Sequence, residues 1–164
     1  MDSDVIQVGR VASLHLHPAE PGTPLVDVAS VEAVAGKGLE RDLRYFARIS
    51  SRTGRQTERQ VSLIAREQVA DHASALGLES ITPGRVRSNI ETTGVDLIPL
   101  LGREVEVGGA RLRFNAPREP CAKMDAICKG LRERMLDRRQ GVLAEVTRSG
   151  TISVGDAIRI CSEG

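Results

Sequence analysis

Aromatic residues are almost missing from this 164-residue chain, which has no tryptophan, one tyrosine and two phenylalanines. Proteins that hold single-stranded nucleic acid stack bases on several exposed rings, and that platform cannot be assembled here. Charge of one sign is missing too: 23 basic residues face 22 acidic ones, for a formal net charge of +1. No global field draws the chain to nucleic acid or an anionic membrane, so any anion site must be local. No window approaches the roughly 20 apolar residues that span a bilayer. The stretch 1–18 has no basic segment followed by an uninterrupted apolar run, so the reading is a cytoplasmic protein with neither nucleic acid nor membrane among its partners. Cysteine is scarce and odd in number, at three, which suits a reducing compartment with free thiols better than a disulfide framework.

Hydrophobic residues make up 40% of the chain, enough to bury one core without staples, so one domain is expected over 1–164 with its core in about 9–160. Val8, Arg10, Ala12, Leu14 and Leu16 recur at period two and predict a first strand that ends at Pro18. A second β-prone run covers 26–34 and stops at Gly36-Lys37-Gly38. Residues 41–59 carry six arginines and almost no apolar periodicity, the pattern of a long irregular loop, and loops of that length are usually functional or disordered. A strand over 60–64 feeds a helix over 65–76, with Gly77 as its stop. A strand is expected over 86–92, and a hairpin over 104–115 in which Gly108-Gly109 supply a type I′ turn. Met124, Ile127, Cys128, Leu131 and Met135 fall at helical spacing and predict one helix of three to four turns starting just after Cys121. Three short strands over 143–161 complete a mainly β chain with a few helices, a barrel or folded sheet.

The most informative stretch for chemistry is Pro120-Cys121-Ala122-Lys123, a thiol on a Pro-restricted turn at a predicted helix start, where free N–H groups favour thiolate. A buried structural cysteine is the alternative. Cys128 on the apolar stripe and Cys161 at the end of the last strand read as core, and no Cys-x-x-Cys or accompanying histidine encodes a zinc or iron–sulfur site. His15 and His17 share a strand face and read as a sheet surface rather than a chelate, and His72 reads as solvated. Arg41, Arg44, Arg48, Arg52, Arg55 and Arg59 form either a bidentate anion site or a solvated loop. Gly36-Lys37-Gly38 lacks the remaining positions of a P-loop or dinucleotide fingerprint.

In order, Gly36-Lys37-Gly38-Leu39-Glu40, Arg59-Gln60-Val61-Ser62-Leu63-Ile64, Glu67, Arg87-Ser88-Asn89-Ile90, Leu100-Leu101-Gly102 and Pro120-Cys121 resemble the MOSC family, named for the C-terminal domain of molybdenum cofactor sulfurases. The resemblance runs from about residue 9 to 160 and includes Gly150-Thr151-Ile152-Ser153-Val154-Gly155-Asp156. It implies a β-barrel-like MOSC fold that binds molybdenum cofactor (molybdopterin), with Cys121 as metal ligand and catalytic residue. It further implies reduction of N-hydroxylated small molecules with electrons from a separate redox protein. Lys37, Arg44, Arg59, Arg87 and Asn89 would hold the pterin phosphate, and Ser62 would bond the pterin or shape the pocket. The alternative reading is a non-catalytic cofactor-binding or sulfur-carrier module with a persulfide on Cys121. Where the family often reads Gly-Leu-Glu-Gly-Asp-Arg, this chain has Gly38-Leu39-Glu40-Arg41-Asp42-Leu43-Arg44, so Arg44 takes the usual arginine's place only if the loop shifts by one residue.

Overall fold

A computed structural model describes residues 5–161. Its frame is the twelve-residue strand β1, Val5–Leu16. The first half of β1 pairs antiparallel with the last strand of the chain, β11, Ala157–Cys161, and its second half pairs with β2, Val26–Val28, and β6, Ile90–Thr93. From β11 the ladder continues through β7 (Glu104–Val107), β8 (Ala110–Pro117), β9 (Val142–Arg148) and β5 (Val61–Ala65) to β6 and back to β1. Seven strands therefore close into a mixed barrel, which leaves few free edges. The one parallel pair among the described residues, β5 with β6, is joined by the helix α1, Arg66–Ala75, the crossover that parallel strands require. A smaller antiparallel sheet of β10 (Gly150–Ser153), β3 (Ser30–Val34) and β4 (Gly38–Leu39) stands beside it.

Period-two alternation fills the barrel: Val105 and Val107, then Ala110, Leu112 and Phe114, then Val142, Ala144 and Val146 all point inward and are buried. Each large side chain so buried contributes about 1.5–3 kcal/mol relative to exposure. A second core lies under the helices, where Val69 of α1 meets Ile64, Val86, Met124, Leu131 and Met135. Gly141 sits between the helical segment and β9 at φ +78°, and a Cβ there would meet the Leu63 carbonyl oxygen at 1.9 Å, so only glycine lets the two backbones approach.

The barrel, the 60–76 strand–helix unit and the hairpin expected over 104–115 match the sequence reading, and the three C-terminal strands form but not as a meander: β9 pairs with β8 and β5, β10 with β3, and β11 with β7 and β1. Several details differ, each for a physical reason. Register shifts between Gln7 and Gly9 and between Val11 and Ser13 interrupt the alternation of β1, so Val11, expected on the face opposite Arg10, Ala12 and Leu14, is buried with Leu14, while Arg10 is exposed and Ala12 half-buried. The 108–109 turn has positive φ only at Gly108, the pattern of a type II′ turn rather than I′. The strand expected over 86–92 starts only at Ile90, after a turn over 83–86 and irregular backbone over 87–89. The expected helix over 124–135 is two five-residue pieces, α2 (Lys123–Ile127) and α3 (Leu131–Met135), because Cys128 is extended and Gly130 adopts φ +93°. Its apolar stripe still packs, since Met124, Leu131 and Met135 are buried from both pieces.

His15, His17 and His72 are all buried, not at a sheet surface or solvated. His15 bonds Asp27 and Ser13, and His72 Nε2 lies 2.8 Å from the Arg139 carbonyl oxygen, with burial pushing its pKa down. Cys128 and Cys161 are half-buried at the margins rather than in the core. Among the described residues no helix is long and apolar enough to cross a membrane.

Candidate functional site

The C-terminal end of β1, the segment entering β5, the turn before β6 and the segment leaving β8 meet at one rim of the barrel. They bring His17, Tyr45, Arg59, Gln60, Ser62, Asn89 and Arg118 around a cleft with about 190 Å³ of empty volume. Its floor is a closed hydrogen-bond network. Asp42 Oδ2 accepts from the His17 backbone N–H at 3.1 Å, from His17 Nδ1 at 2.8 Å and from Asn89 Nδ2 at 2.8 Å. Asp42 Oδ1 accepts from the backbone N–H groups of Arg44 and Tyr45, which folds the arginine-rich loop back onto the barrel. Burial alone would raise the Asp42 pKa, but the hydrogen bond and charge of His17 and the Asn89 amide outweigh it and hold the carboxyl below its ordinary value.

Asn89 and Ser62 belong to this floor. Asn89 Oδ1 accepts from the Ser62 backbone N–H and hydroxyl, Asn89 Nδ2 also donates to the His15 carbonyl, and Ser62 Oγ accepts from the Asn89 N–H. Their polar atoms are used inside the protein, so they fix the pocket's shape.

The walls are cationic and lack carboxylates. Arg118 is buried, and its Nη1 donates to Ser88 Oγ at 3.0 Å and to the Val86 carbonyl at 3.4 Å. Burial, reinforced by Arg59, pushes its pKa down to about 10. Arg87, in the same turn, holds a left-handed backbone at φ +66°. Its Nη1 donates to the Thr23 carbonyl, while its buried Nη2 has no hydrogen-bond partner. Burial first, and then the charge of Arg44, push the Arg87 pKa down. Neither arginine makes an ion pair among the described residues. A buried cation with a free donor is costly unless an anion arrives, and strained backbone commonly marks a binding site. Cys121 is exposed and close enough for its charge to act on both arginines. The helix that follows Cys121, α2, has only five residues, so the helix-end effect expected at Pro120-Cys121 has no full helix behind it.

The expected site residues thus separate. Arg59, Ser62 and Asn89 line the cleft. Arg87, Arg44 and Cys121 do not line it; Arg87 is coupled by charge to Arg118 of the cleft, and Arg44 to Arg87. Lys37 lies apart in the exposed turn between β3 and β4, where its carbonyl accepts from the Ala47 N–H. Leu43 is 68% exposed, and the guanidinium of Arg44 stands 5.7 Å from the Tyr45 ring centroid, so the loop brings the next arginine inward. Arg41, where the family's glycine would stand, keeps a glycine-like φ of +70°. Sequence reasoning missed Arg118, Tyr45 and the His17–Asp42 pair. The available signals were Arg118 in Pro117-Arg118-Glu119-Pro120, and a tyrosine unique in the chain amid arginines.

A family model for the MOSC domain matches residues 29–159. Among solved structures, the YuaD protein from Bacillus subtilis aligns with a TM-score of 0.77 at 19% identity, covering 98% of each chain. YiiM from Geobacillus stearothermophilus aligns at 0.70 and 17% identity, over 94% of this chain and 75% of that one. YiiM from Escherichia coli aligns at 0.65 and 19% identity, over 94% and 71%. No curated protein matches the chain.

Proposed function

This chain belongs to the MOSC domain family, and from that premise we propose that its rim cleft holds the molybdenum cofactor and that the protein reduces N-hydroxylated small molecules. The observation that carries the reading is buried Arg118 and half-buried Arg87, neither paired with a carboxylate among the described residues and Arg87 with an unpartnered Nη2, beside an exposed thiol. A phosphate supplies the missing acceptor, because guanidinium forks match its oxygens. A thiolate suits a soft metal. The residues present therefore fit a group that carries both.

In this reading Arg118, Arg87 and Arg59 hold the phosphate, and the Asp42–His17–Asn89–Ser62 network keeps the cleft in shape before the ligand enters. Arg44 and Arg59 screen negative charge at the entrance. His17 Nδ1 bonds Asp42, which fixes the orientation of the ring at the cleft. When bound, the cofactor supplies two-electron removal of oxygen. The substrate R–NH–OH takes up two electrons and two protons, the N–O bond breaks, and R–NH₂ and water leave. The electrons come from a separate redox protein.

The test is elemental analysis of the full chain and of Cys121→Ala, both purified from a host that makes the cofactor. Near-stoichiometric molybdenum in the native protein, lost in the variant, is the expected result, followed by turnover of an amidoxime with an artificial reductant. A metal-free native protein carrying a persulfide on Cys121 would establish the sulfur-carrier reading instead.

A further inference from the structure

The cleft has an outer neighbour. Arg44, Tyr45, Arg48, Ser50, Ser51, Thr57 and Arg59 line an open hollow of about 750 Å³, solvent included, which shares Tyr45 and Arg59 with the inner cleft. Three guanidinium groups converge on the Tyr45 ring, with Arg59, Arg44 and Arg48 at 5.4, 5.7 and 5.7 Å from its centroid. His17 meets the same ring edge-on at 5.0 Å, anchoring it to the floor. Residues 41–59 contain six arginines against two carboxylates, and one of those, Asp42, is consumed by His17 and Asn89. Among the described residues none of the six arginines forms an ion pair. A formal charge of +1 over the whole chain therefore hides a loop carrying +4 and a remainder carrying −3.

Ring contact accounts for where the three cations sit, but not for their convergence. Like charges gathered without a counter-ion repel one another, and hydroxyls of Ser50, Ser51 and Thr57 complete a donor-rich wall. Arg118 and Arg59 give the inner cleft donors for one phosphate, the group by which it would hold the cofactor. We infer that the outer hollow is a second, separate phosphate-binding pocket, with Arg48 as the residue that belongs to it alone, placed to take a phosphomonoester next to the inner site. The inference rests on the cofactor reading for its purpose, not for its test. Two sources have this chemistry: a phosphate on the N-hydroxylated substrate, which makes nucleotide-like anions the preferred class, or the second phosphate of a nucleotide-extended cofactor.

The experiment is a calorimetric titration of inorganic phosphate, at low ionic strength, into the full chain made in a host without the pterin pathway. Two saturable sites are expected. Arg48→Gln should weaken one by about tenfold or more, as the loss of a charge-assisted contact implies, and leave the other intact. Arg118→Gln should do the reverse. A single site in the native chain, or an Arg48→Gln protein with both sites unchanged, overturns the inference. Two sites in the native chain, one dependent on Arg48 and neither on Arg118, would sink the cofactor reading and leave this one standing. Mild acid treatment of protein from a cofactor-making host then separates the sources. One equivalent of released nucleoside monophosphate assigns the pocket to the cofactor, whereas no nucleotide, with cytidine monophosphate displacing phosphate from the Arg48-dependent site, assigns it to the substrate. If neither occurs, the phosphomonoester assignment is wrong.

Discussion

Two polar clusters, one around buried Glu91 and one around buried Arg118, lie close to the start of β6 and are built on opposite terms. In the first, Glu91 accepts from Arg66 Nε at 3.2 Å and from the Gly84 backbone N–H at 2.7 Å, while Arg66 Nη2 donates to Ser13 Oγ and His15 bridges Ser13 and Asp27. In the second, Arg87 and Arg118 lean on neutral carbonyls and one hydroxyl, with no carboxylate between them. The first cluster is complete within the chain and serves to join β1, β6 and α1. The second has donors to spare, and a cation buried in that state is stabilised only when a ligand brings the negative charge. What separates the two clusters is whether the chain itself supplies the counter-charge, not how many charges are buried.

The sharpest way to break that contrast is to delete one charge on each side. Glu91→Ala strips Arg66 of its partner and orphans the Gly84 N–H, and should cost about 3 kcal/mol in urea unfolding. Arg118→Gln, measured without added anion, should cost less than about 1 kcal/mol, because removing an uncompensated buried cation also removes its desolvation penalty. Equal costs would make Arg118 a structural residue.

Next in size is Gly84→Ala. Gly84 has φ +84°, and a Cβ there would stand 2.8 Å from His15 Nδ1, so the paired cluster should lose about 2 kcal/mol. A change under half that would show that the cluster tolerates displacement.

The site floor should reveal itself through pH. The folded protein holds the Asp42 pKa below its ordinary 3.8, so the stability it gives is present above the unfolded value and is lost as pH falls through the folded one. Asp42→Asn should therefore be less stable than native protein at pH 7, by about 1–2 kcal/mol, with the two curves converging toward pH 3. Parallel curves would place the acid sensitivity elsewhere.

The smallest effect concerns the loop's departure from its family. Arg41 holds φ +70° and gives one hydrogen bond, from Nη2 to the Ser30 carbonyl. Arg41→Gly relieves the backbone and loses that bond, so stability should change by less than about 1 kcal/mol and molybdenum content should stay the same. Loss of metal would show that Arg41 itself, and not merely the loop shape, matters to the site.

How far the sequence was legible follows the range of the interactions. Local chemistry announced the 104–117 hairpin, through Gly108-Gly109 between alternating valines, and the 60–76 unit, through a short apolar run before a helical period. The closure of β1 against β11, some 150 residues apart, has no local signature. The register shifts in β1 moved Val11 inward without a trace in the alternation. In the site, motif order pointed to Arg59, Ser62, Asn89 and Cys121, but the division of labour among them did not show. Ser62 and Asn89 are spent on Asp42 and the backbone, whereas Arg118, flanked by prolines in an unremarked turn, is the most deeply buried cation of the rim. Burial without a counter-ion depends on four separate segments meeting, and only the fold reveals it.

The measurement closest to the central claim is the pterin content of native protein, Glu91→Gln and Arg118→Gln, all purified as full chains from a cofactor-making host and read by fluorescence of the oxidised pterin. About one pterin per chain is predicted in native protein and in Glu91→Gln, whatever stability the latter has lost, with little or none in Arg118→Gln. Retention of pterin by Arg118→Gln would contradict the account, since the unpaired cation would then have been buried for something other than the cofactor.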